Sequence, residues 1–506
     1  MRYLRHCIWI LAGLLIVAAL TVRLESVPPP WWDEGWTLSV ARNWAEIGHY
    51  GRLLVGQPVP RGIDAAFHVT GAVALSFWLF GVGIVQARLV EVVITVATLV
   101  LMYHLVRRIY NRSIALGSLF VMTLLPAYID LFPLYIGRQV LGEMPAMFFL
   151  LAGYIAMLSV PRHPVWALAL AVLFWAFALI TKLQVLPFWM CSLTVPSLVA
   201  LYRRDWKSFS SWVVVLFGSF AGSRVLLVLS EHLLQAKSGM AEPIPGLYEV
   251  SALVTSIPSR LFALIVVGML GVPTLLGLCY GLLNVTKSKA QWTSNDQVRL
   301  ALLFLASSWF GWFLLLSVGW VRYLFPPVFL GSIFVARMIY DLTRGYDVAY
   351  TLQQGIAFFR GRGFNREALG VLLVLMIIVT SVPRTVMAVY KTYVLDADNS
   401  VRQAADFLNS QTRPAALIET YDSELLFLLN RPYHYPPDQI VVELIRRTFL
   451  YEDDTRIDYD PLAANPDYLV VGSHSKQWRL YDPVLKTGAF RLLQSYKRYQ
   501  IYERVR

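Results

Sequence analysis

Two carboxylates stand side by side after a run of prolines and tryptophans, Asp33 and Glu34 in PPPWWDEGW, and a third, Glu143, lies five residues beyond Arg138 in GRQVLGEMP. Two further cations close apolar stretches: Lys182 in ALITKLQVLP and Arg322 in SVGWVRYLFPP. These residue types suit proton transfer by a carboxylate and capture of an anionic, phosphate-like group by guanidinium and ammonium. Each also has a plainer reading. Asp33 can cap a helix while Glu34 complements its dipole, but the third residue after Asp33 is Trp36, so no capping-box partner follows. Arg138 and Glu143 can form a local ion pair, and Lys182 and Arg322 can snorkel to headgroups.

The elements that must position these residues are set by composition. The chain has 506 residues, 57% of them AVILMFWYC and only 15% charged, with a mean hydropathy of +0.55. A soluble domain carries about 25% charged residues, so most of this chain is solvated by lipid. A disordered chain, a coiled coil and a disulfide-stapled module are excluded. The net charge of +12 does not indicate a nucleic-acid surface: residues 391–506 carry 15 basic and 16 acidic side chains, and the excess lies in loops between apolar segments. Cys7, Cys191 and Cys279 sit in apolar runs without paired spacing, and the eight histidines are scattered, so no disulfide framework or zinc motif is expected. The N-terminal apolar run lacks a small-residue cleavage site and reads as an uncleaved signal-anchor.

Apolar segments long enough for a membrane core of ~30 Å run over 7–22, 86–106, 113–133, 145–160, 164–181, 184–201, 210–229, 260–283, 300–318, 326–342 and 368–390. The fold expected is mainly α and polytopic, with about eleven transmembrane helices. The stretch 65–83 is ambiguous by length, and charge decides it. If it lies in the interface without crossing, seventeen basic residues fall in short inside loops and eleven outside, five of those in one long loop. If it crosses, the bias inverts. The N-terminus is therefore expected in the cytoplasm. A first outer loop at about 23–85 and a second at about 134–144 then face the other side, as does a small α/β domain over 391–506. In that domain AALIET, DYLVVGS and FRLLQSYKRYQIYERV read as strands and VRQAADFLNSQ as a helix. Residues 1–390 form the membrane domain.

In the first outer loop Trp36, Val40, Trp44 and Ile47 share one helical face, with Ser39, Arg42, Asn43 and Glu46 opposite. Such a helix lies in the interface plane and holds Asp33 and Glu34 at the outer surface. Arg224, inside SFAGSRVLLVLS, is expected in the bundle or reaching the outer face.

WWDEGW, GRQVLGEMP, ITK and VRYLFP, with the long first loop and α/β tail, resemble the C-type (GT-C) membrane glycosyltransferases, in the group containing protein O-mannosyltransferases and lipid A aminoarabinose transferases. The resemblance implies a sugar donor on a polyprenyl phosphate, a hydroxyl acceptor on a lipid, glycan or protein, and Asp33 as general base. It places Glu34 against acceptor or sugar, and Glu143 at a second-loop position that is often Asp in the family. Arg138, Lys182 and Arg322 become candidates for the donor phosphate. The tail does not read as a β-trefoil, which favours the aminoarabinose-transferase branch.

One base and fixed cations around the leaving phosphate suffice for inversion by direct displacement, whereas retention through a glycosyl-enzyme needs a second carboxylate, for which Glu143 is available. Asp33, Glu34 and Glu143 offer oxygen ligands to a divalent metal, but the neighbouring cations make one unnecessary, and no cofactor is expected to be required. The alternative is a transporter or flippase of a lipid-linked or anionic solute. That activity calls for ionisable residues near mid-membrane, here only Arg224 and Glu91.

Overall fold

The computed structural model describes residues 13–14, 16–60, 62, 66–234, 244–285, 292–360, 366–395, 397–452, 455 and 457–506. The expected first span at 7–22 and the loop cations Arg2, Arg5, Lys287, Lys289 and Arg362 lie partly or wholly outside them. After the first helix come α1 (Trp32–Ile47), the hairpin β1 (Arg52–Leu54) and β2 (Gln57–Val59), and α2 (Phe67–Phe80). The bundle follows: α3 (Ile84–Ile109), α4 (Arg112–Leu124), α5 (Glu143–Met157), α6 (Pro164–Thr181), α7 (Val185–Tyr202), α8 (Trp206–Leu233), α9 (Ile257–Val285), α10 (Ser294–Leu315) and α11 (Phe325–Leu342), then α12 (Val348–Phe359) and α13 (Arg366–Tyr390).

Eight helices among the described residues are long and apolar enough to cross a membrane. Two expected spans prove shorter. Residues 113–133 form a helix only to Leu124, because Pro126 cannot continue the ladder and Ala127 turns to φ 57°. Residues 145–160 form α5, which ends at Met157, four residues before Pro161. The eight helices establish the polytopic architecture but not the count of eleven. At 14 residues α2 is about 21 Å long by the usual rise, too short for a ~30 Å core. The bundle's outward faces carry large apolar side chains such as Trp78, Phe80, Val165, Phe217 and Ile257, each more than two-thirds exposed, as a lipid-facing belt requires. Arg224 is exposed on α8 over the ring of Phe220, not inside the bundle.

The tail builds a five-stranded sheet from β3 (Ile418–Thr420), β4 (Tyr433–His434), β5 (Tyr468–Val471), β6 (Phe490–Ser495) and β7 (Gln500–Arg504), in the order β4-β3-β5-β7-β6. The first three strands are parallel and the last two antiparallel. Helices α14 (Ser400–Gln411) and α15 (Ile440–Phe449) accompany the sheet, and DSELLFLLN winds into a 3-10 helix over Ser423–Leu428. The β1–β2 hairpin meets the sheet's edge, where Val55 N–H donates to the Tyr433 carbonyl at 2.8 Å.

Helix α1 is the keystone between the two parts. Trp36 is buried in the tail's apolar core with Leu408, Ile418, Leu425 and Val470, while Leu38 and Ala41 pack on Val69, Val73 and Phe77 of α2. Arg42, expected on a wet face, donates to the carbonyls of Phe427 and Leu429 at 3.0 and 2.8 Å. The expectation of one apolar face in the interface and one polar face in water is corrected: α1 is covered on both sides because the tail folds over it.

Candidate active site

The N-terminus of α1 is two residues earlier than a capping Asp33 requires. Trp31 is the extended cap residue and Asp33 the second residue of the helix. The carboxylate that reaches back to the cap is Glu34, which accepts the Trp31 N–H at 3.2 Å. Successive residues of an α-helix point about 100° apart, so Asp33 and Glu34 face different partners.

Glu34 is fully buried and fully engaged. Its two oxygens accept Arg88 Nε at 2.9 Å and Nη2 at 2.7 Å, and Oε1 also accepts the Val140 N–H at 3.1 Å. Arg88 completes its set on the carbonyls of Leu24 and Pro28, at 2.9 and 2.7 Å. This bidentate pair ties α1 to α3 and to the chain entering the loop. The expected contact of Glu34 with sugar or acceptor has no free oxygen to make it, and the residue positions α1 instead. Arg88 is inconspicuous in the sequence because it stands inside an apolar span.

Asp33 is about half exposed, with Arg322 Nη1 3.5 Å from its Oδ2. The same guanidinium holds Glu143 through two parallel bonds, Nε to Oε1 at 2.8 Å and Nη2 to Oε2 at 2.7 Å. Lys182 Nζ donates to Glu143 Oε1 as well. Glu143 opens α5, Lys182 follows the last residue of α6, and Arg322 lies in the 3-10 turn Val321–Leu324 that leads into α11. Four segments distant in sequence thus place Asp33, Arg322, Glu143 and Lys182 in one continuous chain of opposite charges at the end of the bundle that carries the α/β domain. Glu143 is buried, while Lys182 and Arg322 keep 20% and 17% of their side chains exposed, so the anchored cations are the groups that face a ligand.

Asp130, in the 3-10 turn Ile129–Leu131, adds a third carboxylate within electrostatic reach of Arg322. It was hidden in the sequence by the apolar run that reads as a single span over 113–133. Arg138 does not join the group. Its side chain is buried, donates to the Val22 carbonyl and lies 4.9 Å from the Tyr393 ring centroid; Nε and Nη1 have no hydrogen-bond partner among the described residues. Arg138 is thus placed apart from Lys182 and Arg322, beside which it is expected at a donor phosphate: the irregular backbone between Gly137 and Gly142 turns it toward the base of the first loop. The oxygens of Glu34 and Glu143 are taken up by Arg88, Arg322 and Lys182. A cavity of about 390 Å³ lined by Tyr110, Trp292, Arg299 and Arg337 is separate from the site, and its arginines are paired with Asp296 and Asp341.

Sequence comparison matches the chain to no family model and to no curated protein. Its fold is nevertheless shared. The crystal structure of ArnT from Cupriavidus metallidurans bound to undecaprenyl phosphate superposes over 98% of both chains with a TM-score of 0.64 at 13% identity. The apo state of the same protein gives 0.61 at 14% identity, covering 100% of this chain and 99% of that one. The Archaeoglobus fulgidus oligosaccharyltransferase, solved with Zn and sulfate, gives 0.50 at 12% identity over 97% of this chain and 73% of its own. The chain has the GT-C fold of these membrane glycosyltransferases.

Proposed function

We propose that this chain is a multi-pass membrane glycosyltransferase that moves a sugar from a polyprenyl-phosphate donor to a hydroxyl acceptor, at the membrane face bearing the α/β domain. The observation that carries the reading is the Asp33–Arg322–Glu143–Lys182 chain, with its one half-exposed carboxylate beside two largely buried cations that each keep an exposed edge. The solved relative of like fold that binds undecaprenyl phosphate supports the choice of donor.

Asp33 accepts the proton of the acceptor hydroxyl as its oxygen attacks the anomeric carbon. The bond from that carbon to the phosphate oxygen breaks, and its electron pair leaves with the polyprenyl phosphate. Arg322 and Lys182 stabilise the charge that develops there. Fixed cations aimed at a developing charge act most strongly in a dry site, and general-base help contributes roughly 10²–10⁴-fold. Glu143 serves as their common anchor. Both its oxygens are bonded to cations, which leaves it poorly placed to attack the sugar and favours a single inverting displacement. Glu34, through Arg88, holds the Asp33 helix. The excess of basic residues in the loops expected on the opposite side supports a site on the outer face and an N-terminus in the cytoplasm.

Purified chain in lipid nanodiscs, given a panel of polyprenyl-phosphate sugars, should release polyprenyl phosphate. Donor binding without turnover across the panel would favour the flippase reading instead.

A further inference from the structure

Apart from this site, the α/β domain holds a second cluster of ionisable groups. Asp422 and Glu424 follow β3, and His474 follows the adjacent parallel strand β5, so all three gather at the carboxyl ends of neighbouring parallel strands, where open sheets place ligands. His474 Nδ1 lies 3.5 Å from Glu424 Oε1 and 3.8 Å from Asp422 Oδ1, and one donor atom from each of the three residues fits within 4.8 Å. Asp422 and Glu424 are 0% and 1% exposed.

The cluster is built rather than incidental. Asp422 accepts the backbone N–H groups of Gly472 and His474, each at 2.8 Å, and the hydroxyl of Ser475; Glu424 Oε1 accepts the Tyr499 hydroxyl at 2.8 Å. The His474 ring is pressed edge-on by Trp31, with centroids 5.2 Å apart. Yet Glu424 Oε2 and His474 Nδ1, both buried, have no hydrogen-bond partner among the described residues. No Lys or Arg among the described residues pairs with either carboxylate, so two buried acids face one imidazole. A buried carboxylate oxygen without a partner, beside an imidazole nitrogen that only approaches two carboxylates, requires an explanation, and an ion is one.

We propose that Asp422, Glu424 and His474 form a site for a divalent transition-metal ion of the zinc class, with water as the remaining ligand. Bonds of roughly 2.0–2.2 Å in a tetrahedral site separate its ligands by roughly 3.3–3.6 Å, close to the two imidazole–carboxylate distances of 3.5 and 3.8 Å, and the full set, within 4.8 Å, closes on an ion by small side-chain rotations. Magnesium and calcium require six or more oxygens and are a poor match to an imidazole donor. The ion's place gives it a structural consequence. Gly35 lies so close to the Ser423–Glu424 backbone that a Cβ would collide with it, Ser423 Oγ donates to the Trp32 carbonyl, and Trp32 Nε1 donates to the Tyr421 carbonyl at 2.8 Å. A metal at Glu424 therefore fastens the α/β domain onto the helix that presents Asp33. This inference does not depend on the proposed transfer reaction.

The test uses the full chain in nanodiscs, stripped with chelator, re-equilibrated with Zn²⁺ and desalted. Wild type and Asp33→Asn should both retain stoichiometric zinc, while Glu424→Gln and His474→Gln lose it. Zinc should raise the thermal midpoint of stripped wild type and leave that of His474→Gln unmoved. Co²⁺ loaded into wild type alone should give the visible absorption of a four-coordinate site, which keeps the test decisive if a variant fails to fold. Metal-free wild type after re-equilibration, equal zinc retention by the His474 variant, or a six-coordinate cobalt spectrum would each overturn the proposal.

Discussion

Arg322 grips Glu143 through two parallel hydrogen bonds of 2.8 and 2.7 Å and directs its third nitrogen to Asp33, 3.5 Å away. The fork geometry of guanidinium makes this possible, and an ammonium in its place would satisfy one oxygen at a time. Arg322→Lys should therefore keep the positive charge and still lower kcat/KM, by about 10²–10³-fold as for loss of a preorganised donor. Steady-state kinetics with varied donor checks this; activity within a few-fold of wild type would mean that charge alone matters.

Glu143 holds both cations without reaching the ligand in this account. Glu143→Gln should reduce kcat while donor KM stays level or falls, since the site becomes more positive but its cations lose their anchor. Intact-protein mass spectrometry of wild type under rapid quench should show no glycosyl adduct. An adduct on Glu143 would make it the nucleophile and the reaction retaining.

The Glu34–Arg88 pair is wholly buried, so removing one partner strands the other's charge. Arg88→Ala should destabilise the chain by about 3–5 kcal/mol, the range for a broken buried pair, and replacing both residues with apolar ones of similar volume should recover much of that. Denaturant titration in detergent, alongside membrane-insertion controls, measures both. A surface-like effect below about 1 kcal/mol would place the pair in contact with water.

At Gly35 the backbone of Ser423–Glu424 occupies the space of a Cβ. Gly35→Ala should push the α/β domain from α1, with a cost of about 1–3 kcal/mol for overpacking and faster hydrogen exchange over residues 421–428. Unchanged exchange there would show that α1 and the domain are not coupled.

Much of this site was legible because charged residues at the ends of apolar helices are conspicuous: Asp33, Glu143, Lys182 and Arg322 were all named from sequence and all meet. What sequence could not show follows from backbone direction. Asp33 and Glu34 look like twins, but one helical step separates their partners. Arg138 is close to Glu143 in sequence and turned elsewhere by an irregular loop. Arg88 and Asp130 were concealed in runs whose apolar character identified a span and obscured the polar residue inside it. The same holds for the fold. Apolar length revealed the long helices and loop charge the non-crossing reading of the stretch that holds α2, whereas the burial of α1 under the tail required knowing where β3 and its following segment would pack. Asp422, Glu424 and His474 are separated by up to 52 positions and carry no metal-motif spacing, so only the pairing of β3 with β5 brings them together.

In the proposed reaction Asp33 removes the proton from the acceptor. Comparing wild type and Asp33→Asn in the nanodisc transfer assay, with a donor that the wild type consumes, isolates that step. The variant should insert, fold and bind donor as wild type does, while release of polyprenyl phosphate falls by about 10²–10⁴-fold, the range of general-base catalysis. Turnover at the wild-type rate would remove Asp33 from the mechanism as its base.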